Sequence, residues 1–162
     1  MTQKTAIRPW NGAEAAEIVA AHRDVPGAML PILHALQEAF GYVDAAAIPI
    51  VAEALNVSKA EVHGVIGFYH DFRDTRPGKH VLKLCRAEAC QSMGCESLID
   101  HVERRLRVKL GEASGDGAFT VEAVYCLGNC ALSPAAMLDG KLYGRVTSAA
   151  ADKLIDAARS RA

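Results

Sequence analysis

The cysteines constrain this chain most, because four of the five fall into two close pairs. Four residues separate Cys85 from Cys90, three separate Cys126 from Cys130, and 35 residues lie between the pairs. A close pair supplies two sulfur ligands from one loop, so two such loops that meet would surround a metal centre with four thiolates. Thiolates are ligands that zinc, copper(I) and iron–sulfur clusters prefer. The fold must therefore bring two distant loops together.

The composition is that of an ordinary globular chain. Its 162 residues are 51% hydrophobic and 23% charged, with a formal net charge of −1. This is enough for a core in one domain or two small ones, and the balanced charge gives no reason to expect nucleic acid as a partner. The N-terminal sequence MTQKTAIRPW lacks the apolar run of a signal peptide, and no stretch is long enough for a transmembrane helix. We expect a cytoplasmic protein without direct membrane contact.

The first half of the chain has the pattern of a small helical bundle. Apolar residues recur at helical spacing, Gly41 is a stop signal, and Ser58 with Glu61 forms a capping box. The predicted helices span residues 12–22, 28–40, 47–55 and 58–69. No strand pattern appears before residue 79, and the polar segment 71–79 is typical of a linker.

The second half alternates strand and helix patterns. Strands are predicted over 80–85, 119–125, 136–138 and 141–146, and amphipathic helices over 95–110 and 148–158. Asp139-Gly140 is a two-residue hairpin signal between the last two strands. The order β-α-β-β-β-α fits a thioredoxin-like α/β sandwich, so the predicted fold class is α/β, a small N-terminal helical bundle followed by that sandwich.

Both cysteine pairs follow predicted strands. Cys85 ends the first strand and Cys126 comes directly after the second. If these strands are parallel neighbours, both loops emerge at the same sheet edge, where the carboxyl ends of strands form binding sites. This arrangement would explain how two pairs so far apart in sequence can meet.

The spacing alone leaves the kind of centre open. Zinc remains possible, since structural zinc sites use C-x2–4-C knuckles, although such sites usually staple small modules that have little core. The C-x-x-C motif of a thioredoxin dithiol is absent from both pairs. A plant-type ferredoxin, C-x4-C-x2-C, would need a cysteine where Met93 stands. Cys95 lies on the apolar stripe of a predicted helix, and we expect it to be a core residue.

The cysteine pattern, with Cys126-Leu-Gly-Asn-Cys130-Ala-Leu-Ser-Pro134 as its second half, resembles the thioredoxin-like 2Fe–2S ferredoxin family. Leu33-His-Ala-Leu-Gln-Glu-Ala-Phe-Gly-Tyr42 and Tyr143-Gly-Arg-Val-Thr147 are also similar to that family, and the likeness covers about residues 28–147. The family includes the small iron–sulfur subunit of NADH:quinone oxidoreductase (complex I). Related subunits occur in NAD-reducing hydrogenases and in NAD-dependent formate dehydrogenases.

The resemblance implies one 2Fe–2S cluster per chain, bound by Cys85, Cys90, Cys126 and Cys130. It also implies two domains, an N-terminal helical docking domain over residues 1–73 and a thioredoxin-like 2Fe–2S ferredoxin domain over residues 79–162. The chain would be a non-catalytic electron-transfer subunit of an oxidoreductase complex. No catalytic residue is expected in it, and substrate chemistry would belong to the assembly.

The segment from Cys85 to Cys95 is similar to the gamma subunit of molybdenum-containing, NAD-dependent formate dehydrogenase. It reads Cys85-Arg-Ala-Glu-Ala-Cys90-Gln-Ser-Met-Gly-Cys95. The partners so implied are a flavin- and NAD-binding iron–sulfur subunit, docked through the helical domain, and a molybdenum-containing catalytic subunit. The alternatives are the equivalent subunit of complex I or of an NAD-reducing hydrogenase. A zinc-stapled protein-interaction module without a redox role is the alternative of another class.

Several residues near the cysteines have expected roles in tuning a cluster. We hypothesise that Arg86, inside the first ligand loop, stabilises the extra negative charge of a reduced cluster. Gly94, Gly128 and Asn129 are expected to offer backbone N–H groups to the sulfurs, because hydrogen bonds to sulfur tune such centres.

Overall fold

The computed structural model describes residues 8–160 and divides into two compact units, with the boundary between Arg76 and Pro77. Most of the segment inspected for a signal peptide, residues 1–7, lies outside the described residues. Within residues 8–160, no helix combines the length and apolar character needed to cross a membrane.

The first unit consists of four helices: α1 (Gly12–His22), α2 (Met29–Phe40), α3 (Ala47–Leu55) and α4 (Lys59–Phe68). Each confirms a predicted helix, with ends within one residue. The side chain of Asn11 accepts two backbone N–H groups at the start of α1. Gly41 ends α2 in the left-handed conformation, with φ 83°, which glycine adopts without steric cost.

The first unit has its own core, built from the apolar faces of these helices. Val19, Leu36, Phe40 and Val51 are fully buried there, and Trp10 meets Phe40 edge-on with ring centroids 5.0 Å apart. The side-chain amide of Gln37 binds the chain that follows α4, since it donates to the Asp71 carbonyl and accepts from the backbone N–H of residue 73. The start of the predicted linker is therefore held against α2.

The second unit is a four-stranded mixed sheet with helices. Its elements are β1 (His80–Cys85), α5 (Glu88–Ser92), α6 (Cys95–Leu106), β2 (Phe119–Val124), a 3-10 turn (Cys130–Leu132), β3 (Ala136–Leu138), β4 (Lys141–Tyr143) and α7 (Ser148–Arg159). The strand order is β2-β1-β3-β4, with β1 and β2 parallel and the β3–β4 hairpin antiparallel. The predicted turn is confirmed, because Asp139 and Gly140 both have positive φ angles, as a tight hairpin turn requires.

Three local predictions differ from the structure. The helix predicted over residues 95–110 ends at Leu106, because the next residue is left-handed (φ 54°) and the carbonyl and carboxylate of Glu103 take up the N–H groups of Val108 and Leu110. The strand predicted to residue 146 ends at Tyr143. Beyond it the chain turns away, so that the Arg145 N–H donates to the Leu132 carbonyl. The short helix α5 was not predicted.

The second core lies between the sheet and its helices. Leu84 of β1 and Phe119 and Val121 of β2 are fully buried, as are Val102 of α6 and Ile155 of α7. Burial of these apolar side chains is the main favourable term in holding the sheet and helices together. Each unit thus has a core of its own.

Candidate metal centre

The parallel pairing of β1 and β2 brings the two cysteine pairs to one edge of the sheet. Cys85 at the end of β1 lies opposite Val124 at the end of β2, and the Arg86 N–H donates to the Val124 carbonyl at 2.8 Å. Cys126 follows Val124 by two residues. The expected parallel pairing is confirmed, and it explains why distant pairs meet.

The first pair is buried. Cys85 is 3% exposed and Cys90 is 2% exposed. Helix α5 begins directly after Ala87 and turns the chain back, so that the thiols of Cys85 and Cys90 hydrogen-bond each other. The unpredicted helix is thus the element that closes the first ligand loop.

The second pair is exposed, and its backbone is unusual. The backbone of Cys126 has φ 122°, a conformation that residues other than glycine rarely adopt. Such a conformation persists where surrounding contacts enforce it. The Gly128 N–H donates to the Cys126 sulfur at 3.3 Å, and the sulfurs of Cys126 and Cys130 are 3.7 Å apart. The strained residue therefore holds its sulfur beside that of its partner.

Backbone N–H groups from both loops donate to the sulfurs. Cys85 accepts from Ala87 in its own loop and from Leu127 in the other loop, and the Cys90 sulfur accepts from the N–H of Ala135. The bond from Leu127 joins the two ligand loops through a ligand sulfur. Hydrogen bonds to sulfur both orient a metal ligand and stabilise its negative charge.

One of the predicted sulfur donors is confirmed and one is wrong. The Gly128 N–H does donate to a sulfur, whereas the Gly94 N–H donates to the Gln91 carbonyl at 3.0 Å. The backbone donation expected of Asn129 stays a prediction. The sequence analysis did not predict Ala87 as a donor. The available signal was its position, because at Cys85, as at Cys126, the N–H that donates to the sulfur belongs to the residue two positions after the cysteine.

The four thiols form one electrostatic group. Burial raises the pKa of Cys85, whereas at Cys90 the raising effect of burial is outweighed by hydrogen bonds with Ser133 and Ala135, and the pKa is lowered. The pKa of Cys130 is raised first by its hydrogen bond with Cys126 and then by the charge of the Cys126 sulfur. The charges of Cys90 and Cys85 raise it further. Cys130 is thus influenced by sulfurs of both pairs, as expected where two pairs approach each other.

The donor set fits a 2Fe–2S cluster. Such a cluster takes two thiolates on each iron, and the structure provides two pairs of sulfurs with N–H donors around them. In the described part of the chain, no three His, Cys, Asp or Glu side chains are grouped closely enough to hold a single metal ion. Cys85, Cys90, Cys126 and Cys130 are the residues whose chemistry fits such a group, and their ligation of it stays a prediction.

Two further predicted residues have clear surroundings. Arg86 makes a two-point ion pair with Glu96, at 3.0 and 3.1 Å, so its charge is balanced by a carboxylate. Its proposed effect on a reduced cluster stays a prediction and now involves Glu96 as well. Cys95 is buried on α6 beside Leu98 and Ile99, as expected of a core cysteine.

Two residues beside the site were missed by sequence analysis as functional positions. Ser133 is buried, and its hydroxyl oxygen lies 3.6 Å from the Cys90 sulfur. Gly144 lies against Asn129 and Leu132, so close that a side chain would not fit. Both residues occur in segments that resemble the family, which was the available signal, but only their contacts show what they do.

Comparisons with known proteins agree with this geometry. The family model described as "Thioredoxin-like [2Fe-2S] ferredoxin" matches residues 15–159. An NADH-quinone oxidoreductase subunit from Pseudomonas aeruginosa is 33% identical over 136 residues, which cover 84% of this chain and 82% of that one. The NADP-reducing hydrogenase subunit HndA of Solidesulfovibrio fructosivorans is 32% identical over 129 residues, or 80% and 75% of the two chains.

The fold also occurs in a solved structure of an NAD+-reducing [NiFe]-hydrogenase in the H2-reduced state. The TM-score is 0.69 with 25% sequence identity, over 80% of this chain and 22% of the hydrogenase chain. This chain therefore spans less than a quarter of that protein's length. The predicted fold class, α/β with a helical bundle followed by a thioredoxin-like sandwich, is confirmed. With a family model matched over nearly its whole length and two cysteine pairs joined at one sheet edge, this chain belongs to the thioredoxin-like [2Fe-2S] ferredoxin family, whose members carry a 2Fe–2S cluster.

Proposed function

We propose that Cys85, Cys90, Cys126 and Cys130 bind one 2Fe–2S cluster and that this chain carries single electrons. The observation that supports this most is the meeting of both pairs at one sheet edge, with backbone N–H groups donated to three of the four sulfurs. When bound, the cluster supplies one-electron transfer. The chain's own residues hold it, donate to its sulfurs and limit its contact with water, and these are the factors that set a reduction potential.

The two pairs differ in exposure, which supports a direction for electron exchange. Cys85 and Cys90 are buried, whereas Cys126 and Cys130 are exposed. Tyr125, which precedes the exposed pair, is 74% exposed. We infer that a redox partner approaches the site on the side of the second pair.

Metal analysis of the purified chain, handled without oxygen, tests the cluster. We expect about two irons and two acid-labile sulfides per chain, with visible absorption that bleaches on reduction by dithionite. Serine at any of the four ligand positions should lower the iron content, whereas the matched control Cys95→Ser should keep it. One zinc and no colour, in protein made with ample iron and sulfide, would overturn the redox function and favour the zinc-stapled module.

The chain is proposed to serve in a multisubunit, NAD-linked oxidoreductase in the cytoplasm. Both named relatives are subunits of oxidoreductases that use a nicotinamide cofactor, one of an NADH-quinone oxidoreductase and one of an NADP-reducing hydrogenase. We propose NAD-dependent formate dehydrogenase as the parent assembly, on the likeness of the loop from Cys85 to Cys95. Its partners would be a flavin- and NAD-binding iron–sulfur subunit and a molybdenum-containing catalytic subunit. The relatives' names support complex I and hydrogenase as the rival assemblies.

Isolation of the native complex through an affinity tag on this chain distinguishes the three assemblies. Molybdenum in the complex and NAD+ reduction by formate would support formate dehydrogenase. Nickel and NAD+ reduction by hydrogen would point to a hydrogenase, and quinone reduction by NADH would point to complex I. Either of the last two results would contradict the formate assignment and leave the electron-carrier function intact.

The first unit is proposed as the docking surface for the flavin-binding subunit. Phe68, at the end of α4, is 73% exposed, and its ring meets the exposed Tyr69 edge-on at 5.1 Å between centroids. Aromatic side chains are enriched at protein interfaces and depleted on free surfaces. This pair supports a contact with another protein at the end of α4.

A further inference from the structure

Ser133 lies between the two cysteine pairs. It follows the 3-10 turn that begins at Cys130, and it is 8% exposed. Its hydroxyl oxygen is 2.7 Å from the Cys130 carbonyl oxygen and 3.6 Å from the Cys90 sulfur. One side chain thus contacts the backbone of one ligand pair and a sulfur of the other.

A serine hydroxyl has one proton to donate and can rotate it between acceptors. When Cys90 is a thiol, its S–H can donate to the Ser133 oxygen while the hydroxyl donates to the Cys130 carbonyl. A metal-bound sulfur has no proton. In a hydrogen bond between Ser133 and a metal-bound Cys90, only the serine hydroxyl can therefore donate. Ligation of Cys90 therefore gives the hydroxyl two competing acceptors, a neutral carbonyl and a negatively charged sulfur.

The charge favours the sulfur. Hydrogen bonds to ionised groups are roughly twice as strong as neutral ones, and burial strengthens them further. The Cys130 carbonyl would not lose every partner, because it also accepts the Ser133 backbone N–H at 3.3 Å. The hydroxyl can therefore turn towards Cys90 while the turn itself stays bonded.

We propose that the Ser133 hydroxyl is a tuning residue, which donates to the Cys90 sulfur and raises the reduction potential of the cluster. This rests on the proposed ligand set. Reduction adds one electron and makes the sulfurs more negative, so the hydrogen bond is stronger in the reduced state and stabilises that state more. No covalent bond forms or breaks.

Potentiometric titration of the whole cluster-loaded chain, followed by electron paramagnetic resonance, tests the proposal. Ser133→Ala should have a lower midpoint potential than the wild type, and Ser133→Thr, which keeps a hydroxyl, should restore it at least in part. Ser92→Ala is the matched control: its hydroxyl lies near the same ligand loop but donates to the Ala89 carbonyl, so its potential should not move. An unchanged or higher potential in Ser133→Ala with full iron content overturns the proposal.

The result can be separated from failure to bind iron. If Ser133→Ala does not hold the cluster, Ser133→Gly removes the same hydroxyl without adding a methyl group and is titrated in its place. If neither variant holds the cluster while Ser133→Thr does, the hydroxyl is needed for assembly and the tuning role is wrong. Wild-type protein with zinc and no iron would contradict the proposed function itself, whereas an unmoved potential in iron-loaded protein contradicts the tuning role alone.

Discussion

At residue scale, Gly144 shows how the second ligand loop is held in place. A Cβ atom there would lie 2.6 Å from the Leu132 Cβ, 2.7 Å from the side-chain nitrogen Nδ2 of Asn129 and 2.9 Å from the Leu132 carbonyl oxygen. That carbonyl also accepts the N–H of Arg145, so the backbone has little freedom to move. Because Asn129 and Leu132 flank Cys130, the absence of a side chain at 144 is a condition for the position of a ligand.

Gly144→Ala should lower the free energy of unfolding by about 1–3 kcal/mol, the usual cost of forcing an extra methyl group into a close-packed place. It should also lower the iron content, since the loop that carries Cys130 must shift. Urea unfolding and iron analysis measure the two effects. Gly115→Ala is the control, because a Cβ at Gly115 meets nothing within 4 Å. Equal behaviour of the two variants would contradict the packing argument.

At the scale of an element, α4 begins with a capping box. The N–H and the hydroxyl of Ser58 donate to the Glu61 carboxylate at 2.8 and 2.9 Å, and the Ser58 oxygen accepts the Glu61 N–H at 3.1 Å. The bond from the backbone of Ser58, and then that from its hydroxyl, lower the pKa of Glu61. The start of the helix is thus favoured by the charged form of one side chain.

The capping box predicts a pH dependence of stability. Folding lowers the pKa of Glu61, so its charge stabilises the folded state. This stabilisation is present above the pKa of the unfolded chain, about 4.3, and is lost as pH falls through the pKa of the folded state. Glu61→Gln keeps the geometry and removes the charge. The wild type should therefore be more stable than this variant at pH 7, and the difference should close as pH falls from the unfolded pKa through the lower pKa of the folded state.

Urea unfolding of both proteins at several pH values, followed by far-UV circular dichroism, measures that difference. Glu53→Gln, at an exposed position on α3, is the control and should show no such closing gap. At pH 7, Ser58→Ala should cost about 1 kcal/mol through the lost cap. A gap between the wild type and Glu61→Gln that stays constant with pH would show that the charge of Glu61 contributes nothing.

At the scale of the whole molecule, the chain contains two units with separate cores. The first core is formed by helices alone and the second by the sheet with α6 and α7. The four proposed ligands all belong to the second unit. Loss of the metal should therefore destabilise the second unit far more than the first.

Removal of iron by a chelator should raise hydrogen exchange in the two ligand loops. The N–H groups of Leu127 and Gly128 donate to sulfurs, and those bonds depend on sulfurs held in place. Amides of α2 in the first unit should exchange at the same rate with and without iron. Hydrogen exchange with mass spectrometry of loaded and stripped protein makes the comparison. Equal protection loss in α2 would show that the two units are not independent.

The proposed docking surface predicts a loss of assembly without a loss of cluster. Phe68→Ala should weaken association with the flavin-binding subunit by about 30-fold or more, the effect of removing an aromatic residue at the centre of an interface. Iron content should be unchanged, because Phe68 lies in the first unit. Val25→Ala, at another exposed apolar position of that unit, is the control. Co-purification of the tagged chain with its assembly measures both, and equal recovery would place the contact elsewhere.

Much of the fold follows from local sequence signals. Each helix of the first unit has one end marked by a capping residue: Asn11 and Ser58 begin α1 and α4, and Gly41 and Asn56 end α2 and α3. Asp139-Gly140 specifies its hairpin in the same local way. The strand patterns and the cysteine spacing also predicted the common sheet edge, because parallel strands end together.

The sequence by itself determined most of the elements, α5 excepted, and which thiols are available, since periodicity, caps and turns depend on residues close together in the chain. The tertiary structure decided that Arg86 pairs with Glu96 and which N–H groups face the sulfurs. Ser133 and Cys90 are 43 residues apart, and nothing near either residue specifies their contact. Such contacts exist only once the sheet has aligned the two loops, because the path of the folded chain, rather than local preference, sets the distance between them.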